Sequence, residues 1–165
     1  MTELLQNLIE SLREELKQYG ELLALLDQQQ ELVILRRGSD LLQTVAAIDA
    51  QAEVLRVARS EREQRRLDLA RALRLDERAG FRELTPRLPS EYRPLVEALV
   101  QENNELLLSL QTRSQQNHLL LNRAIELMQR FINTLVPGAS PTTYNETGCT
   151  LPGMCAIRPV YEAIG

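Results

Sequence analysis

The sequence predicts an all-α protein: a long antiparallel helical hairpin plus a third long helix, packed as a coiled-coil-like bundle, followed by an irregular C-terminal tail. Three observations predict it. Apolar residues recur every seven positions through most of the chain, the period that keeps one face of a helix against a neighbour. Glycine and proline gather at Gly38, Gly80 to Pro89 and Pro137–Gly138, which marks where helices stop. With no Trp, two Phe and four Tyr, the core must be built from aliphatic side chains.

The 165 residues are enough for one domain, or one domain with an appendage. The bundle is expected over 1–138, with helices at about 2–36, 40–75 and 91–136, a connector at 76–90, and a flexible interaction tail at 139–165. In the first helix Leu5, Leu12, Tyr19, Leu26 and Val33 form one row and Ile9, Leu16 and Leu23 its companion. Further leucines at 4, 8, 22, 25 and 32 widen this seam, so contact with more than one neighbour is expected. Gly20 inside it is read as a bend or a close helix approach.

Gly38 is expected to stop the first helix, and Ser39 or Asp40 to cap the second. A link this short makes the two helices antiparallel neighbours. The second seam starts apolar with Leu41, Val45, Ile48, Ala52 and Leu55. It turns polar at Arg59, Arg62 and Arg66, and recovers at Leu69 and Leu73. Folding the hairpin near Gly38 sets Arg62 near Glu14 and Arg66 near Glu10. Basic residues then face acidic ones.

The connector carries Gly80, Pro86 and Pro89, with Phe81 and Leu84 as anchors and room for one helical turn. Ser90 is the expected cap of the third helix, and Pro94 fits its first turn, where a missing N–H is harmless. In that helix Val96, Asn103, Leu110, Asn117, Ala124 and Phe131 lie seven apart, beside Val100, Leu107, Ser114, Leu121, Met128 and Leu135. At 1.5 Å per residue it runs about 60 Å, longer than the second helix. Part of its stripe is therefore expected to lack a partner within the chain, which marks a binding surface. The tail adds Tyr144, Leu151, Met154, Ile157, Val160, Tyr161 and Ile164 with few charges, the composition of a docking segment rather than a solvated one.

Several functions are disfavoured. The net charge of −4 opposes nonspecific nucleic-acid binding, and the arginines between Arg56 and Arg78 are interleaved with acids. No apolar run spans a bilayer, and the acidic start MTELLQNLIESLREEL is unlike a signal peptide, so stable membrane insertion is not expected and the cytoplasm is the expected location. No phosphate loop, serine elbow or metal spacing occurs, so no catalytic residue, metal ligand or cofactor is assigned and an enzyme is not expected. His118 has no orienting carboxylate in sequence reach. Cys149 and Cys155 lack two further zinc ligands and read as reduced small apolar residues.

Two stretches carry a resemblance: Gln101-Glu102-Asn103-Asn104-Glu105-Leu106-Leu107 continuing to Arg113-Ser114-Gln115-Gln116, and Thr142-Thr143-Tyr144-Asn145-Glu146-Thr147-Gly148. With the layout of the whole chain, they resemble the FlgN family of flagellar type III export chaperones. The second is similar to the family's Tyr-Gly-x-x-Gly tail element, with Asn145 where the family usually has Gly. Asn tolerates the left-handed backbone better than most residues. The resemblance implies a cytoplasmic chaperone of hook-associated (hook–filament junction) proteins. It would hold the amphipathic C-terminal helix of its client, prevent premature assembly, and deliver the client to the cytoplasmic domain of the export gate. Client-binding residues would be Val96, Val100, Asn103, Leu107, Leu110, Ser114, Asn117, Leu121, Met128 and Leu135, and gate docking would use Tyr144 and Gly148. Homo-oligomer formation without client stays open. The rival is a self-associating coiled-coil scaffold, its seam set in register by Asn103 and Asn117.

Overall fold

The computed structural model describes residues 2–135. The chain divides into two units, Met1–Ile125 and Glu126–Gly165. Three long helices dominate: α1 (Thr2–Ile34), α2 (Gly38–Ala72) and α4 (Arg93–Leu135). A short α3 (Phe81–Leu84) runs into a 3-10 turn at Thr85–Arg87. The described residues contain no strand, and the architecture is the all-α bundle that the heptad pattern predicts.

In the first unit α1 is the shared helix. It packs antiparallel to α2, shown by Arg62 reaching Glu15 and Gln51 reaching Gln18. It packs parallel to α4, shown by Asn103 reaching Leu12 and Asn117 reaching Leu26. Two neighbours explain why its seam is wide. Leu5, Leu12, Tyr19 and Leu26 are buried as one row, and Leu8, Glu15, Leu22 and Gln29 as the next.

One apolar cluster joins Leu5, Leu8, Ile9 and Leu12 to Leu69 and Ala70 of α2, to Leu84 and Leu88 after it, and to Val96 and Leu99 of α4. A second, smaller cluster holds Tyr19, Leu22, Leu26, Leu55 and Leu110. Each fully buried leucine contributes about 1.5–3 kcal/mol of transfer free energy, so the larger cluster anchors the unit.

The hairpin register is one residue away from the expected one. Arg62 Nε donates to Glu15 Oε2 at 2.8 Å, and Arg59 lies 3.6 Å from the same carboxylate. Glu14 sits one position round the helix, is exposed, and accepts from Gln18 Nε2 of its own helix. Arg66 does not meet Glu10, which is exposed. Its guanidinium instead donates to the carbonyls of Ala79 and Glu77 and to Glu63. The polar break in the α2 seam is thus an inward row of arginines that fastens the connector to α2. Arg62 also lies over the Phe81 ring, 5.9 Å from its centroid, a cation–π contact with the connector's first turn.

The helix ends differ from expectation. Gly38 does not stop α1; Arg36 does, at φ 56°, and Gly38 opens α2. Arg36 N–H donates to Val33 O at 3.2 Å and Arg37 N–H to Leu32 O at 3.0 Å, the paired bonds of a Schellman end. The same device ends α2, with Arg74 at φ 56°, Arg74 N–H to Arg71 O and Leu75 N–H to Ala70 O. Neither Ser39 nor Asp40 caps α2, because both lie inside its first turn, where Ser39 Oγ donates to Asp40 Oδ1. Ser90 lies in the turn before α4, which begins at Arg93 with Pro94 in its first turn. Gly20 lies on the exposed face of α1, and a Cβ there would meet nothing within 4 Å, so no helix approaches it.

Candidate functional site

The α4 row divides into a buried part and an exposed part. Val96, Asn103, Leu110 and Asn117 are buried in the chain's own core, with Val96 at 0% and Asn117 at 2% exposure. These four were expected on a client-binding surface, and the folded first unit does not present them to one. The reason is the parallel contact with α1, which the length argument from α2 did not anticipate. Val100 and Leu107 are half-buried against the same clusters. Leu121 is half-buried and Ser114 exposed.

Both buried asparagines act in the same way. Asn103 Nδ2 donates to Leu12 O at 3.1 Å and to Leu99 O at 2.8 Å. Asn117 Nδ2 donates to Leu26 O at 2.6 Å and to Gln29 Oε1 at 2.9 Å. Each links residues 91 positions apart, so α1 and α4 keep one register along the seam. Beside them Arg113 Nε pairs with Asp27 Oδ1 at 2.6 Å. At the same offset Ile34, the last residue of α1, corresponds to Ile125.

In the second unit, Glu126–Leu135 is described. Met128, Phe131 and Leu135 are 66%, 62% and 64% exposed, and Leu127 and Ile132 are also open. Positions 128, 131, 132 and 135 follow the i, i+3, i+4, i+7 spacing and form one apolar stripe on about two turns of helix. Met128 and Leu135 belong to the expected row. Phe131 and Ile132 do not appear among the expected site residues, although that spacing was readable in the sequence. A second exposed apolar patch, Ile34, Leu35 and Leu42 at the hairpin tip, was also missed. Tyr144, Gly148, Cys149, Cys155 and the whole segment 139–165 lie outside the described residues.

The electrostatics of the first unit are structural. Glu63 is held below the ordinary carboxylate range chiefly by its hydrogen bond from Arg66, with Coulombic help from Arg66 and Arg62 against the opposing cost of burial. Glu53 is lowered in the same way by Arg56 on the exposed face of α2. His118 is exposed and shares a 3.0 Å hydrogen bond with Asn122. Among the described residues no group of three or more His, Cys, Asp or Glu is placed to hold a metal ion. No helix there is long and apolar enough to cross a membrane.

No curated protein matches the chain, and no solved structure does. One family model, that of the FlgN protein, matches residues 1–152. That span takes in all three long helices and the residues that carried the resemblance. The chain therefore belongs to the FlgN family, a family of flagellar export chaperones rather than of enzymes.

Proposed function

We propose that this protein binds the amphipathic C-terminal helix of a hook-associated protein in the cytoplasm, keeps it from assembling prematurely, and delivers it to the cytoplasmic domain of the export gate. The observation that carries this reading is the stripe of Met128, Phe131, Ile132 and Leu135, with Leu127 beside it. Four large apolar side chains in register on a helix surface match helix-in-groove recognition, in which a partner helix lays its own i/i+3/i+4/i+7 face on the row. Exposed aliphatic and aromatic groups in this density are uncommon on a surface with no partner. The client surface is thus narrower than the full row from Val96 to Leu135. The bundle of residues 1–138 serves as its support, and the tail from 139, with Tyr144 and Gly148, serves gate docking.

The test is co-purification with a hook-associated protein carrying an intact C-terminal helix. Phe131→Asp with Met128→Asp should abolish the complex while the circular dichroism spectrum keeps its helical shape. A complex that survives this double substitution would rule out the stripe. Tyr144→Ala should leave the complex intact and weaken its binding to the purified gate domain. The scaffold alternative needs Asn103 and Asn117 at a seam between copies, and here both are engaged by α1 of the same chain.

A further inference from the structure

The two halves of α4 within the first unit are held on α1 by different chemistry. The first half is anchored in the larger apolar cluster through Val96 and Leu99, with Leu84 and Leu88 of the connector packed against the same leucines. Leu110 closes the smaller cluster. After Leu110, the one buried side chain of α4 is Asn117. Its Nδ2 is satisfied by Leu26 O and Gln29 Oε1, and its Oδ1, like that of Asn103, is buried without a hydrogen-bond partner among the described residues. Asn103, however, sits among the apolar contacts of Val96 and Leu99, and Asn117 has no such cluster beside it. A buried amide oxygen without a partner opposes the closed state by the hydration it forfeits. Arg113 adds an ion pair to Asp27 and a hydrogen bond to Gln30 Oε1, but the ion pair is partly open to solvent, with the two side chains 33% and 49% exposed, where such pairs contribute little. The α1–α2 hairpin differs on every count. Its buried Glu15 is paired with two arginines, and its helices are joined by the short link Leu35–Arg37.

We propose that residues 111–125 of α4 open from α1 as a latch-controlled segment, hinged on the anchored turns from Val96 to Leu110, while the α1–α2 hairpin stays folded. Asn117 is the latch: its carboxamide closes the segment in one register, with no apolar cluster beside it to lock the contact. An apolar residue there would grip more tightly but would not release. Opening would uncover the smaller cluster from the side of Leu26, the residue that Asn117 engages, and would offer apolar surface that the closed unit hides. The opening is a property of this chain alone and stands or falls independently of the client assignment.

Hydrogen–deuterium exchange on the full-length protein tests it. In the wild type, amides of residues 111–125 should exchange at least about tenfold faster than those of 96–110 and of the buried face of α1, each normalised to its intrinsic rate. Asn117→Leu should slow exchange in 111–125 by about tenfold or more, with little change in α2, and raise Tm by a few degrees. Equal protection along 96–125 in the wild type would overturn the proposal without any variant. So would an Asn117→Leu protein that folds and keeps the wild-type exchange of 111–125. If that variant does not fold, Asn117→Ala gives the opposite reading: faster exchange confined to 111–125 supports the latch, and faster exchange spread evenly over the bundle overturns it.

Discussion

Removing the Glu15 carboxylate should be among the more damaging single changes in the first unit. Glu15 is 3% exposed and sits where α1 faces the arginine row of α2. It accepts from Arg62 Nε at 2.8 Å and from the Tyr19 hydroxyl at 3.0 Å, with Arg59 at 3.6 Å. Taking one partner from a buried pair typically destabilises by about 3–5 kcal/mol, because the remaining charge is left uncompensated. Two features place Glu15→Ala at the low end. The Arg59 and Arg62 side chains keep 32% and 18% of their exposure, and Arg62 retains Glu63 at 3.0 Å. The expected loss is therefore about 3 kcal/mol, or roughly 6–12 °C in Tm for a chain of this size. Glu15→Gln keeps an acceptor of the same shape and should lose about half as much. Urea and thermal unfolding followed by circular dichroism measures both. A loss below about 1 kcal/mol for Glu15→Ala would refute the reasoning, since it would mean that the arginines are as well solvated without the carboxylate as with it.

Other substitutions test the backbone and the charge pairs. Gly20→Ala should stabilise by up to about 1 kcal/mol, because α1 pays glycine's entropy there and the new methyl meets no atom within 4 Å; a measured destabilisation would show that α1 needs to flex at that point. Arg36→Gly and Arg74→Gly should each stabilise by a few tenths to about 1 kcal/mol, since both residues hold a left-handed backbone at φ 56° that glycine adopts without penalty; a net loss in chemical denaturation would count against this. The depressed Glu63 acid gives a sign for pH. Its stabilisation is fully present above the ordinary glutamate range, about pH 4.3, and is lost as pH falls through the lowered folded-state value. Glu63→Gln should flatten the acid limb of a stability–pH profile, and an unchanged limb would remove Glu63 from its cause.

Most of the fold was legible because heptad periodicity is a long-range signal that single residues do not obscure. The rows through Leu5, Leu12 and Tyr19, and through Val96 and Leu110, are buried as the spacing predicts. What the spacing could not tell was which neighbour each row meets. Asn103 and Asn117 read equally well as a seam between two copies or within one, and only the bonds to Leu12 and Leu26 decide it. Helix ends were misplaced for a local reason. Glycine is the usual left-handed residue, so Gly38 attracted the assignment, whereas the bonds that close α1 fall at Arg36 and Arg37. The arginines of α2 were read as a break in the seam. Their role was hidden because the partners of Arg66 are backbone carbonyls of Glu77 and Ala79, which carry no sequence signature. Of the candidate site, Met128 and Leu135 were visible as heptad positions. Phe131 stands on the heptad row through Val96 without being carried into the site, and Ile132 was passed over because a strict heptad row is narrower than the face of a straight helix.

The constant offset between α1 and α4 constrains how the chain can change length. Asn103 and Asn117 are separated by the same interval as the carbonyls of Leu12 and Leu26 that they engage. An insertion between the two asparagines shifts the second clamp away from its acceptor unless α1 gains the same number of residues between Leu12 and Leu26. Because Glu15 and Gln18 in that stretch of α1 also meet Arg62 and Gln51, α2 would have to follow. Viable length changes in the first unit are therefore concerted, and whole heptads are the smallest step that returns every side chain to its face. Residues after Ile125 have no counterpart in α1 at this offset, so α4 can lengthen or shorten there by single residues. Homologues should accordingly hold their first unit at fixed helix lengths and vary beyond it.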